Sequence, residues 1–231
     1  MLTVAGAVIR PHSTKTLGLL AFLVIESDRP HTRARLAGLL WGRSPEGSAR
    51  QSLRQALYSL RTLASGRLHD CLCTDHQLIR LTPDCRIDVD YQRFLGGVRS
   101  TDIRQWLEAA ALYRAPLLDG QTFEGCEDYE AWLASARERI QAIAIQNLDR
   151  LVAYEISQAD WSAALAHAQA LRDLDPTSQP ATRHLLRIFA ARNEPHAIEA
   201  EWTRLSGLLH REFGAQPSRE TADLLRALGH G

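Results

Sequence analysis

Five positions in the second half of this chain recur at a fixed offset, and the recurrence limits what the chain can fold into. Asp160, Ala163, Ala168, Leu171 and Leu174 return as Glu194, Ala197, Trp202, Leu205 and Leu208, each 34 residues further on. That is the period of stacked helix pairs, in which small residues let neighbouring helices approach and a proline stops one helix before the next begins. Asp175-Pro176 supplies such a stop, and Gly214 another. The apolar spacing predicts helices over Thr101–Tyr113, Cys126–Gln158, Trp161–Leu174, Gln179–Arg192, Pro195–Phe213 and Arg219–Leu228.

The first half reads differently. Leu2–Arg10 alternates weakly, as one or two short strands would. Thr14–Ser27 is a helix that is apolar almost all round, so it should be buried. His31–Trp41 reads as a second helix with Thr32 as its cap, ended by Gly42. Ser44-Pro45-Glu46 opens a third, with a cap, a proline in the first turn and an acid beside the positive end of the helix dipole; it should run to about Ala64. Short extended pieces follow at Asp70–Thr74 and Leu78–Leu81, joined by a turn at Asp75-His76-Gln77, and another at Arg86–Val89. Three helices and a hairpin form the order of a winged helix, the hairpin being the wing. The polar stretch Gly96–Thr101 is the expected boundary, so the predicted division is residues 1–97 and 101–231. The fold class is mainly α: a winged helix, then an all-α helical-repeat domain.

Charge divides the same way. The chain is formally neutral, with 27 basic and 27 acidic residues. Residues 1–95 nevertheless hold 13 Lys and Arg against 8 Asp and Glu, and the rest carries the opposite excess. Between Arg29 and Arg67 the only acid is Glu46, against eight arginines. A basic module joined to an acidic one is the footprint expected when one half meets nucleic acid.

The third helix concentrates that charge. At 100° per residue, Ala49, Leu53, Ala56, Leu57, Leu60, Leu63 and Ala64 share one arc. The neighbouring face carries Arg50, Arg54 and Arg61, then Gln51, Gln55 and Tyr58, with no acid among them. An arginine can pair bidentately with O6 and N7 of guanine, and a glutamine with N6 and N7 of adenine. Tyrosine and further arginines can hold phosphates. His31, Arg33 and Arg35 on the second helix, with Lys15, His76 and Arg80, are candidates for backbone contacts. The competing account is a solvated polar face whose arginines cover the edge of the core.

Other chemistries find little support. There is no Walker loop, GxGxxG, HExxH or GxSxG, so no enzyme and no cofactor is expected. Glu124, Glu127, Asp128 and Glu130 precede a long helix, whose positive N-terminus favours acids. The spacing of His69, Cys71, Cys73 and His76 is too compressed for the usual zinc patterns and reads as a hairpin. The run Leu17–Ile25 follows Arg10 and Lys15, as in a signal peptide, but Glu26-Ser27-Asp28-Arg29 replaces a cleavage site and the run is too short to span a bilayer. The expected location is the cytoplasm, where all four cysteines should be reduced.

The motifs also carry a resemblance. Leu36-Ala37-Gly38-Leu39-Leu40-Trp41, Ala49-Arg50-Gln51-Ser52-Leu53-Arg54-Gln55-Ala56-Leu57 and Leu60-Arg61-Thr62-Leu63 resemble bacterial regulators of the streptomycete antibiotic regulatory protein (SARP) type. So do Ile87-Asp88-Val89-Asp90 with Phe94, Tyr113–Gly120, Trp132-Leu133 with Arg137, and Phe213–Thr221. The resemblance covers nearly the whole chain. It implies a winged helix buttressed by a small sheet, joined to a tetratricopeptide-like bacterial transcriptional activator domain. It further implies a dimeric activator that binds double-stranded DNA near promoters and contacts RNA polymerase, with Arg50, Arg54 and Arg61 at recognition positions. Here the N-terminal strand region is short, so the buttressing sheet is expected to be reduced. Relatives often continue into ATPase, cyclase or further repeat domains, which leaves open a minimal regulator or a module of a longer signalling protein. A protein-interaction adaptor is the rival reading.

Overall fold

A computed structural model of the chain describes residues 2–4, 7–8, 11, 13–62, 71–82 and 87–229. Its elements run β1 (Leu2–Val4), β2 (Ala7–Val8), α1 (Thr14–Ile25), β3 (His31–Thr32), α2 (Arg33–Trp41), α3 (Glu46–Thr62), β4 (Leu72–Thr74), β5 (Leu78–Leu81) and β6 (Ile87–Val89). Then come α4 (Asp90–Arg99), α5 (Ile103–Leu112), α6 (Glu127–Ser157), α7 (Trp161–Leu174), α8 (Gln179–Ala191), α9 (Pro195–Phe213) and α10 (Arg219–Ala227). The chain forms two compact units: residues 1–96 with 112–140, and residues 97–111 with 141–231.

The first unit is a winged helix. Ser13 caps α1 by accepting from the Thr16 amide, and Thr32 caps α2 by accepting from the Arg35 amide. The extended backbone that Thr32 needs as a cap also lets His31 and Thr32 pair with β5, so these two residues form a strand rather than the start of the helix. The wing hairpin thereby becomes a sheet of order β3-β5-β4. Among the described residues the buttressing sheet has three short antiparallel strands, in the order β2-β1-β6. Part of the expected boundary is helical, because Gly96 to Arg99 close α4. The remainder of the expected third helix, Leu63 and Ala64, lies outside the described residues.

The core of this unit joins Leu19, Leu20, Phe22 and Leu23 of α1 to Leu36 and Leu40 of α2, Leu53 and Leu60 of α3, and Ile79 of β5. It also takes Phe123, Cys126, Tyr129 and Leu133. Gly18 is where α1 and this later segment meet most closely: a Cβ there would lie 2.5 Å from the Phe123 ring. The buried Tyr129 hydroxyl donates to the Gly18 carbonyl at 2.9 Å, and burial pushes its phenol pKa up. Tyr129→Phe is expected to cost about 1 kcal/mol, the net value of one hydrogen bond, since the carbonyl belongs to a helix and the ring contacts survive. A urea midpoint indistinguishable from wild type would show that this bond contributes nothing. Among the described residues, Cys73 and Cys126 are free thiols.

The second unit shows the 34-residue repeat in its backbone. Ala159 and Asn193 both adopt a left-handed conformation, with φ of 57° and 58°. The next amides close matching turns, Asp160 onto the Glu155 carbonyl at 3.0 Å and Glu194 onto that of Phe189 at 2.9 Å. The two helix pairs therefore turn the same way. Ala164, Ala168 and Leu171 of α7 are buried, as are Ile198 and Leu205 of α9. Arg150 of α6 lies 4.1 Å over the Trp106 ring and donates to the carbonyl of Val98 and the amide oxygen of Asn147, tying α5 and the end of α4 to α6. Among the described residues no helix is long and apolar enough to cross a membrane.

Candidate nucleic-acid interface

Helix α3 is divided cleanly along its length. Ala49, Leu53, Ala56, Leu57 and Leu60 are buried against α1 and α2. Gln51, Arg54, Gln55 and Tyr58 stand on the opposite side, all exposed, and together line one shallow surface cleft. Tyr58 is 71% exposed, far more than its apolar ring would be if the core had room for it. The Arg54 side chain is exposed and makes no hydrogen bond or ion pair with any described residue.

The other arginines read from the sequence are engaged. Arg50 forms an exposed pair with Glu46, one turn back on the same helix. Such an exposed pair is worth a few tenths of a kcal/mol. Arg61 donates to the Thr74 hydroxyl on β4 and is half-buried, so it braces α3 against the wing. Arg33 donates through Nε to the Asp75 carbonyl at 2.9 Å, and its amide donates to the Gln77 carbonyl at 2.8 Å. Arg35 sits 5.8 Å from the Phe22 ring centroid.

The wing turn is self-capped. The Asp75 carboxylate accepts from the amides of Gln77 and Leu78, each at 2.6 Å, and these bonds hold its pKa below the ordinary carboxylate range. The Asp-x-Gln turn was readable as a turn; its link to Arg33 was not, because the two lie 42 residues apart. Two further candidates are structural. His31 is buried and bonded to the Glu26 carbonyl, and Lys15 donates to the Leu40 carbonyl at the end of α2. His76 and Arg80 are exposed on the wing. Of the acidic cluster, Glu127, Asp128 and Glu130 occupy the first turn of α6, and Glu130 accepts from the Phe123 amide.

The structure thus gathers Gln51, Arg54, Gln55 and Tyr58 into one patch with Arg50 beside it, while Arg33 and Arg61 fasten the wing. The patch offers a guanidinium fork, two amides and a phenol on a rigid helix, the groups that read base edges and hold phosphates.

Comparison with known proteins agrees with this architecture. The family model of the bacterial transcriptional activator domain matches residues 92–228, more than half of the chain. The solved structure of Mycobacterium tuberculosis EmbR in complex with a low affinity phosphopeptide is similar at a TM-score of 0.74 and 22% identity, covering 98% of this chain. The chain spans 62% of the length of that one. No curated protein matches. The chain belongs to the bacterial transcriptional activator domain family.

Proposed function

We propose that the chain is a sequence-specific DNA-binding regulator, acting in the cytoplasm and without enzymatic activity of its own. Residues within 1–97 bind double-stranded DNA, with α3 in the major groove. Gln51, Arg54, Gln55 and Tyr58 meet bases and the adjoining backbone, and Arg50 exchanges Glu46 for a phosphate. Arg33, Arg35 and Arg61 act at the rim, positioning the wing and the start of α2. Residues 101–231 contact protein partners: RNA polymerase, which makes the regulator an activator, and a second copy of the chain. The observation that carries this reading is the exposed, acid-free face of α3 above a fully apolar buried face.

Salt dependence tests it. A protein that neutralises phosphates releases counterions, and its affinity falls linearly on a log–log plot with a slope of about −0.9 per phosphate. The full chain is expected to bind unrelated duplex DNA with a slope of roughly −3, as three or four phosphate contacts would give. A flat response, or no binding at low salt, would point to a protein adaptor instead.

A further inference from the structure

Helix α1 is apolar on two sides, and one of them is only partly packed. Leu19, Phe22 and Leu23 face the core. Leu17, Leu20, Ala21, Val24 and Ile25, spaced at helical intervals, line a half-enclosed cavity of about 570 Å³ within the first unit. Its far walls are Phe94 of α4 and the segment 112–119. That volume lies in the range of small-molecule sites, roughly 300–1,000 Å³. A buried helix should have both apolar stripes covered by protein. Here three residues of the second stripe, Leu17, Ala21 and Ile25, are left half-buried against open space.

The wall opposite α1 is held in a strained shape. Leu118 has φ of 51°, a left-handed conformation that costs a residue with a Cβ about 1 kcal/mol or more. Arg137 fixes it, donating to the Leu117 carbonyl at 2.8 Å and to the Leu118 carbonyl at 3.0 Å. Strain held by a dedicated clamp is a feature of binding walls that must keep their shape without the ligand. The rim carries two arginines, Arg93 and Arg114, and two aspartates, Asp90 and Asp119, so it selects for no net charge. Tyr113, also in the wall, has its phenol pKa raised by burial.

We propose that this cavity is a binding site for a small, uncharged, mainly hydrocarbon molecule, seated between α1 and the segment 112–119. Leu20 and Val24 belong both to its wall and to the core that carries α3, so an occupant touches the packing beneath the reading helix. The proposal does not depend on DNA binding, and its test uses none.

The probe is N-phenyl-1-naphthylamine, a neutral apolar fluorophore, titrated into the full chain. Saturable binding of one probe per chain is expected, with a Tm that rises with probe concentration. Ala21→Phe fills the cavity from α1 and Ala115→Trp blocks it from the exposed rim; each should weaken binding at least tenfold. If Ala21→Phe does not fold, Ala115→Trp decides alone. The anionic analogue, 8-anilinonaphthalene-1-sulfonate, should bind at least tenfold more weakly to the wild-type chain. Absence of saturable binding, or binding unchanged in Ala115→Trp, would overturn the site. Equal or tighter binding of the sulfonate would overturn the assignment to uncharged ligands.

Discussion

Arg54→Ala is expected to lower affinity for the specific duplex by about 1–3 kcal/mol, roughly ten- to a hundredfold, and to cost far less on random DNA. Arg54 is exposed, lies beside Gln51, Gln55 and Tyr58, and is the arginine on α3 without a partner among the described residues. It therefore pays nothing to leave an existing bond when it meets a base. Docked helices of this kind read bases mainly through their N-terminal part, which includes Arg54 but not Arg61. Arg61→Ala removes the bond to Thr74 and loosens the wing, so it should weaken specific and random binding alike. Paired titrations at fixed salt, on a duplex selected from a random pool and on an unselected one, separate the two. Equal losses on both duplexes for Arg54→Ala would mean that α3 is not read in the groove.

Glu201→Ala should destabilise the helical repeats by about 3 kcal/mol. Glu201 is only 4% exposed, yet it is charged and bonded on three sides. Arg204 holds it at 2.7 Å, Arg172 of α7 reaches it at 3.4 Å, and the buried Thr182 hydroxyl of α8 donates to it at 3.1 Å. Arg204 also donates to the Pro176 carbonyl in the turn between α7 and α8. One carboxylate thus gathers α7, α8 and α9. Removing it strands the Thr182 hydroxyl and leaves Arg204 without its counter-charge, while Arg172 keeps its exposed pair with Asp173 at 3.2 Å. Both guanidinium side chains retain some access to water, which sets the cost at the lower end of the range for a broken buried pair. Glu201→Gln keeps an acceptor for Thr182 and should cost about half as much. Urea midpoints for the three proteins check the order; an alanine variant as stable as wild type would contradict this role.

How far the sequence could be read depended on where the signal resides. Helices α7 and α9 begin and end where the sequence says, because their signals are local: Asp160 as a cap, proline at the start of α9, and Gly214 in a left-handed turn at its end. Helix α4 was hidden by Gly96 and Gly97, residues that disfavour helices. Gly97 is nonetheless required, since a Cβ there would lie 2.6 Å from the Gln105 carbonyl. No local pattern announces that Phe123, Tyr129 and Leu133 pack into the core around α1; that is a tertiary fact. The exposed polar face of α3 was legible by angle alone, but the angle could not separate Arg54 from its neighbours. The Arg50–Glu46 pair is visible at a spacing of four, whereas the bond from Arg61 to Thr74 depends on how the hairpin folds back.

Photocrosslinking from α3 tests the central claim most directly. With p-benzoylphenylalanine in place of Tyr58, the full chain would be irradiated with duplex DNA; with the same group in place of Phe213, an equally bare aromatic on α9 at 64% exposure, it serves as the control. The expected result is a crosslink from position 58 to the duplex and none from position 213. Crosslinking from 213 with none from 58 would contradict the assignment of α3 as the helix that meets DNA.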